Sequence, residues 1–332
     1  MMMSNHKLKM HLISLALLAE KKLTTRKRLP AYHPTAEQDI NLQARANPPA
    51  PIPRQVWMYW ESEKLPAEVQ IFVDKIAREN PGYTLTVINN LNLHDYLPDL
   101  KFVHAGMRAS HKSDVIRLEL LHRYGGIWMD ATIILNRSLD ELLAVNADER
   151  YDLVAFYREE STRDRAYPVM ESWFLAAPKN NAFIGRWLHC FRPIVELGSE
   201  AFFQQLLALP NYDTILQGIK TPDYLVVYIA QQQALREKNH YNFYLRKAEA
   251  GALLYQTLSG WRPVKLSRML MVDALPEVLP PVYKLTSFDR KYIATHLKYG
   301  VVNSDSLLGQ VLLHEQPKNL TPAATLAGKA AQ

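Results

Sequence analysis

The chain has 332 residues, 48% of them hydrophobic, enough for one large α/β domain with additions or for two smaller domains. Its single cysteine, Cys190, excludes an internal disulfide and any cysteine-rich zinc or iron–sulfur site, and fits a reducing compartment. The formal net charge of +6 is uneven: residues 1–50 hold eight Lys and Arg against three acids, so the rest is nearly neutral, which argues against a nucleic-acid binder with a basic stripe on its folded part.

The leader reads KLKMHLISLALLAEKKLTTRKRL from Lys7 to Leu29. Its apolar run, Leu12 to Ala19, is well short of the roughly 20 residues that span a bilayer. Three readings stay open at this point. The segment is a surface helix docked on the body, a basic amphipathic helix on an anionic membrane, or a secretory leader without a clear cleavage site. Residues 46–53, ANPPAPIP, read as a stiff connector. The organisation expected is a basic helical leader and linker over 1–50, a main α/β domain over 51–318 and a loose tail over 319–332.

From residue 54 onward strands alternate with helices. Gln55–Trp60 predicts a strand, and LPAEVQIFVDKIARENPG a helix stopped by NPG. YTLTVIN predicts a second strand, HKSDVIRLELLHRYGG a helix and IWMDATIIL one further strand. DLVAFY and ESWFLAA follow as strands, and NNAFIGRWLHCF, EAFFQQLLAL and DYLVVYIAQQQALREK as helices. This alternation indicates an α/β layered fold with a mostly parallel sheet.

The chemistry concentrates around residues 113–132. Asp114 and Arg117 stand three apart on one helix and share a face. Gly125 and Gly126 stop that helix, since glycine takes a left-handed conformation without steric cost. Asp130 then falls among Ile127, Trp128, Met129, Ile133 and Ile134, where a carboxylate needs a partner or a cation.

SDVIRLELLHRYGGIWMDAT resembles the signature of sugar-nucleotide-dependent glycosyltransferases with a DXD motif. It is similar to glycosyltransferase family 32 and, more closely, to the capsular polysaccharide synthesis protein family, in which Trp-x-Asp-Ala-Thr also occurs. PRQVWMYWESEKLP, RENPGYTLTVIN and ESWFLAAPKNNAFI resemble further segments of that family, so the likeness covers roughly residues 52–190.

The resemblance implies a GT-A-like nucleotide-binding sheet flanked by helices, with the leader and a helical C-terminal part added. It implies transfer of a sugar from a nucleotide-sugar donor to a growing surface glycan of capsule or lipopolysaccharide type, free or lipid-linked, with retention of configuration. Ser113, Asp114, Arg117, Gly125, Gly126 and Lys284 are then donor-binding candidates, with Trp57, Tyr59 and Trp60 as stacking aromatics. Asp130 and Glu171 are the catalytic candidates and Trp173 the acceptor candidate.

A divalent cation, Mn²⁺ or Mg²⁺, is the implied cofactor. Thr132 takes the place of the second Asp of DXD, so the expected ligands are Asp130, Thr132 and a third group, with His296, Asn303 and Asp305 as candidates. Eleven histidines without a close pair argue against zinc, and His11, His104 and His111 read as ordinary residues. The expected location is cytoplasmic, peripheral on the inner face of the membrane. The alternatives are a nucleotide-sugar-binding protein with weakened turnover and a sugar-phosphate transferase.

Overall fold

Alternating apolar segments of the central region assemble into a seven-stranded mixed sheet in the computed structural model, which describes residues 5–34, 39–43, 50–148, 151–237 and 240–314. The expected tail and residues 46–49 of the proline-rich connector lie outside the described residues. In chain order the strands are β1 (Ile40–Gln43), β2 (Gln55–Tyr59), β3 (Thr84–Ile88), β4 (Gly126–Met129), β5 (Ile133–Leu135), β6 (Leu153–Tyr157), β7 (Met170–Ala177), β8 (Asn242–Lys247) and β9 (Val282–Lys284). The large sheet has the order β1-β8-β6-β7-β4-β2-β3. β3, β2, β4, β6 and β8 run one way, and β7 and β1 the other.

Both faces of this sheet are covered, as a mostly parallel sheet requires. Trp57 and Trp128 face a core shared with Val115, Leu118 and Leu121 of the Ala109–Tyr124 helix. Val56 and Met58 face a second core with Val69, Val73 and Ile76 of the Ala67–Glu79 helix. A third core, in the C-terminal part, joins Leu266, Leu270, Tyr283 and Leu308 to Phe72 and to Ile134 on β5.

The stretch IWMDATIIL is two strands rather than one. β4 ends at Met129, Asp130–Thr132 turn, and β5 leaves the large sheet to pair antiparallel with β9. Asp130 sits in this turn because a carboxylate inside a fully buried strand has no partner there. The break matters, because the register Ile133↔Lys284 brings a lysine from the C-terminal part beside the turn.

The leader forms a helix over Asn5–Leu23 that docks on the C-terminal part. Leu17 packs against Val272 and Val301. Ser14 shares a buried hydrogen bond with His296, 2.8 Å, and Arg268 binds Glu20 at 2.6 Å. The opposite side of the same helix exposes Leu8, Leu12, Leu15 and Leu23 together with Lys22. Among the described residues no helix is long and apolar enough to cross a membrane.

Candidate active site

The Ala109–Tyr124 helix, the turn after β4 and the end of β9 place four charged side chains together. Asp114 and Arg117 face one way on the helix, and Arg117 Nη1 lies 2.5 Å from Asp114 Oδ1. Arg117 Nη2 reaches Asp130 Oδ1 at 3.3 Å and Ser113 Oγ at 3.2 Å. Nη1 also donates to Ser172 Oγ on β7. The guanidinium lies over the Trp128 ring, 4.9 Å from its centroid, and the Trp128 indole N–H donates to Asp130 Oδ1 at 3.2 Å. From the other side Lys284 Nζ lies 2.9 Å from Asp130 Oδ2.

Exposure separates these groups. The side chains of Arg117, Asp114 and Lys284 are 6%, 9% and 10% exposed, while that of Asp130 is 27% exposed. Asp130 is therefore the member of the cluster that solvent or a ligand meets. Burial pushes its carboxyl upward, but Lys284 and then Arg117 outweigh that and hold it below the usual carboxylate range. For Asp114 burial wins over Arg117 and the carboxyl is raised. Arg117 Nε is buried and has no hydrogen-bond partner in the structure.

The glycine pair supplies room rather than a ligand surface. At Gly126, φ is +100°, and a Cβ would lie 2.4 Å from the Gln55 carbonyl oxygen of β2. At Gly125, φ is +66°, and a Cβ would lie 2.4 Å from the Lys179 backbone nitrogen. Trp57, expected to stack on the donor, is instead buried, and its indole N–H donates to the Gly125 carbonyl at 2.9 Å. Tyr59 donates to Asn90 Oδ1 at 3.3 Å, and Trp60 carries the Arg290 guanidinium 4.8 Å from its ring centroid.

Glu171 is buried in its own network. It accepts from Tyr228 Oη at 2.5 Å and from Arg158 Nη1 at 3.3 Å. Trp173, expected at the acceptor, is 5% exposed and packs on Phe156 with centroids 4.8 Å apart, so it is a core residue. Its carbonyl does serve the site, accepting the Asp130 backbone N–H at 2.9 Å. Ser172, between these two, is the β7 side chain that reaches the cluster. Ser172 and Glu171 both meet Tyr228, where the pairing of β7 with β6 is irregular.

The set expected to hold a divalent cation does not assemble. His296 lies with the leader helix, bonded to Ser14 and stacked on Tyr292 at 5.7 Å. It is buried in an apolar setting that lowers its pKa to about 4. Asn303 is taken up by the Val272 carbonyl and Asp305 by Arg26. The Thr132 hydroxyl donates to the Leu285 carbonyl at 2.9 Å and accepts from Lys284 Nζ at 2.8 Å. No group of three or more His, Cys, Asp or Glu placed to hold a metal occurs among the described residues.

The sequence profile of the family described as "Capsular polysaccharide synthesis protein" matches residues 12–194, more than half of the chain. The chain belongs to this family. Among curated relatives, the glycosyltransferase afumC of Aspergillus fumigatus is 25% identical over 256 residues, 68% of this chain and 61% of that one. The O-glycosyltransferase braB of Annulohypoxylon truncatum is 25% identical over 177 residues, 48% of this chain and 41% of that one. The matches thus span about two-fifths to three-fifths of these relatives' lengths. A solved glycosyltransferase involved in the glycosylation of the major capsid of PBCV-1 superposes with a TM-score of 0.37 at 8% identity, covering 74% of this chain and 100% of that one. The candidate site of this chain is a carboxylate set between a guanidinium and an ammonium, where β4 ends.

Proposed function

We propose that this chain is a glycosyltransferase that moves a hexosyl unit from a nucleotide-sugar donor to a growing surface glycan. The observation that carries the reading is Asp130, partly open, between Arg117 and Lys284 at the carboxyl end of β4. Ligands of open α/β sheets bind outside the carboxyl ends of the strands. Membership of the family and the glycosyltransferase names of the relatives support the same reaction. Retention of anomeric configuration belongs to this reading through the resemblance to family 32.

In this reaction the bond from the anomeric carbon to the diphosphate oxygen breaks, and its electron pair leaves with the nucleoside diphosphate. Arg117 and Lys284 are fixed positive groups for that developing charge, and a guanidinium fork suits phosphate oxygens. Asp130, with three protein donors already on its carboxylate, has one lone-pair site left for a donor hydroxyl. The acceptor hydroxyl oxygen bonds to the anomeric carbon, and its proton passes to the departing diphosphate oxygen.

The reading extends to place. The outward side of the leader helix, with Leu8, Leu12, Leu15, Leu23 and Lys22, fits the surface of an anionic membrane on its cytoplasmic side. A glycan grown on a lipid carrier is met at such a surface.

The test is incubation of the full chain with a panel of nucleotide sugars and glycan acceptors. Acceptor-dependent release of nucleoside diphosphate, with a product heavier by one sugar, is expected. Binding of donors without cleavage under all conditions, metal included, would leave a binding protein instead.

A further inference from the structure

We infer that the donor site works without a divalent cation, because the ammonium of Lys284 holds the position on Asp130 that a cation would take. The inference rests on the proposed transfer reaction and concerns how its leaving group is stabilised.

A hard divalent cation needs several oxygen ligands with free lone pairs. Here one carboxylate is offered, and both of its oxygens already accept. Oδ1 takes the Trp128 N–H at 3.2 Å and Arg117 Nη2 at 3.3 Å, and Oδ2 takes Lys284 Nζ at 2.9 Å. The neighbouring hydroxyl, Thr132, accepts from the same ammonium and donates to the Leu285 carbonyl. Asp114, the other carboxylate, is closed off by Arg117 and lies within reach of Ser172 Oγ at 3.5 Å.

Lys284 is also held, not swinging. Its backbone N–H donates to Ala252 and its carbonyl accepts from Gln256 Nε2 at 2.7 Å. The ammonium has three acceptors, Asp130, Thr132 and the Leu285 carbonyl, which match its three N–H groups. A dication at Asp130 Oδ2 would have to displace this ammonium or sit against it, and like charges at such range repel strongly. The substitution of Thr for the second acid of DXD then has a rationale. A second carboxylate serves a cation, whereas a hydroxyl can bond an ammonium without adding charge to a cluster already balanced by two acids and two bases.

The test compares turnover and nucleoside-diphosphate binding of the full chain in excess chelator and in Mn²⁺, and measures Mn²⁺ binding directly by paramagnetic resonance. The expected result is turnover within about twofold in the two buffers, binding of the nucleoside diphosphate in chelator, and no specific uptake of Mn²⁺ by the protein. Lys284→Met is expected to lower turnover about a hundredfold or more, the scale for loss of one electrostatic stabiliser. Loss of turnover in chelator with recovery on Mn²⁺, or stoichiometric Mn²⁺ binding, overturns the inference. The wild-type arms decide it even where Lys284→Met does not fold. A chain inactive with every donor, chelated or not, counts against the transfer reaction, and the Mn²⁺ measurement still decides the cation question.

Discussion

Two regions make the site, and they make it differently. Residues 113–130 deliver Ser113, Asp114, Arg117 and Asp130 through one helix, one glycine stop and one short strand. The C-terminal part delivers Lys284, 152 residues from its hydrogen-bond partner Thr132, through three-residue strands that pair antiparallel. The first region is set by local spacing. The second is set by register alone, so it leaves no motif in the chain.

The largest effect should come from the point where the two regions meet. Asp130→Asn is expected to cost about 3 kcal/mol of transition-state stabilisation, roughly a hundredfold or more in kcat/KM. The fold should survive, since Arg117 keeps Asp114, Ser113 and Ser172, and Lys284 keeps Thr132 and the Leu285 carbonyl. Steady-state kinetics beside a melting curve tests this. A folded mutant with full turnover removes Asp130 from the chemistry.

Gly126→Ala attacks the local region by itself. The added methyl meets the Gln55 carbonyl oxygen at 2.4 Å with φ at +100°, so β2 and β4 must part. A loss of about 3 kcal/mol is expected, from strain at a forbidden φ together with the clash. Denaturant titration measures it, and a change below about 1 kcal/mol would show that the sheet gives way easily.

His296 reports on the C-terminal part. Its folded pKa, about 4, lies below the ordinary 6.5, so the folded protein holds it neutral while the unfolded chain binds a proton. Its contribution to stability is present above 6.5 and is lost as pH falls toward 4. His296→Phe should flatten that limb of the melting temperature against pH. An unchanged slope in the mutant would assign the acid loss to other groups.

The smallest effect concerns the leader. Leu12→Glu with Leu15→Glu on the exposed face should weaken co-sedimentation with anionic vesicles and leave the melting temperature unchanged, since neither side chain is in the docked face. Each basic residue near such a surface adds only about 1 kcal/mol, so salt should weaken the binding as well. Equal binding by mutant and wild type would detach the helix from any membrane role.

The same contrast decides what could be read from the chain. The helix Ala109–Tyr124, the glycine stop and the cluster of Asp114, Arg117 and Asp130 were legible because their signals are contiguous. Lys284 was legible only through family resemblance. β9 has three residues, too few for a periodic pattern, and β8, NFYLRK, ends in charges that hide its pairing. In ESWF the candidates were Glu171 and Trp173, while the small Ser172 between them reaches the cluster. His296 looked like a ligand because a sequence shows a titratable group and not the apolar packing around it.

The β5–β9 ribbon has a consequence for recombination. Chimaeras between relatives whose crossover falls between residues 135 and 282 would inherit Asp130 and Thr132 from one parent and the lysine from the other. Such hybrids would keep the recognisable motif intact and still assemble a donor site from mismatched halves. Crossovers before residue 109 or after residue 285 would carry the site across as one heritable unit.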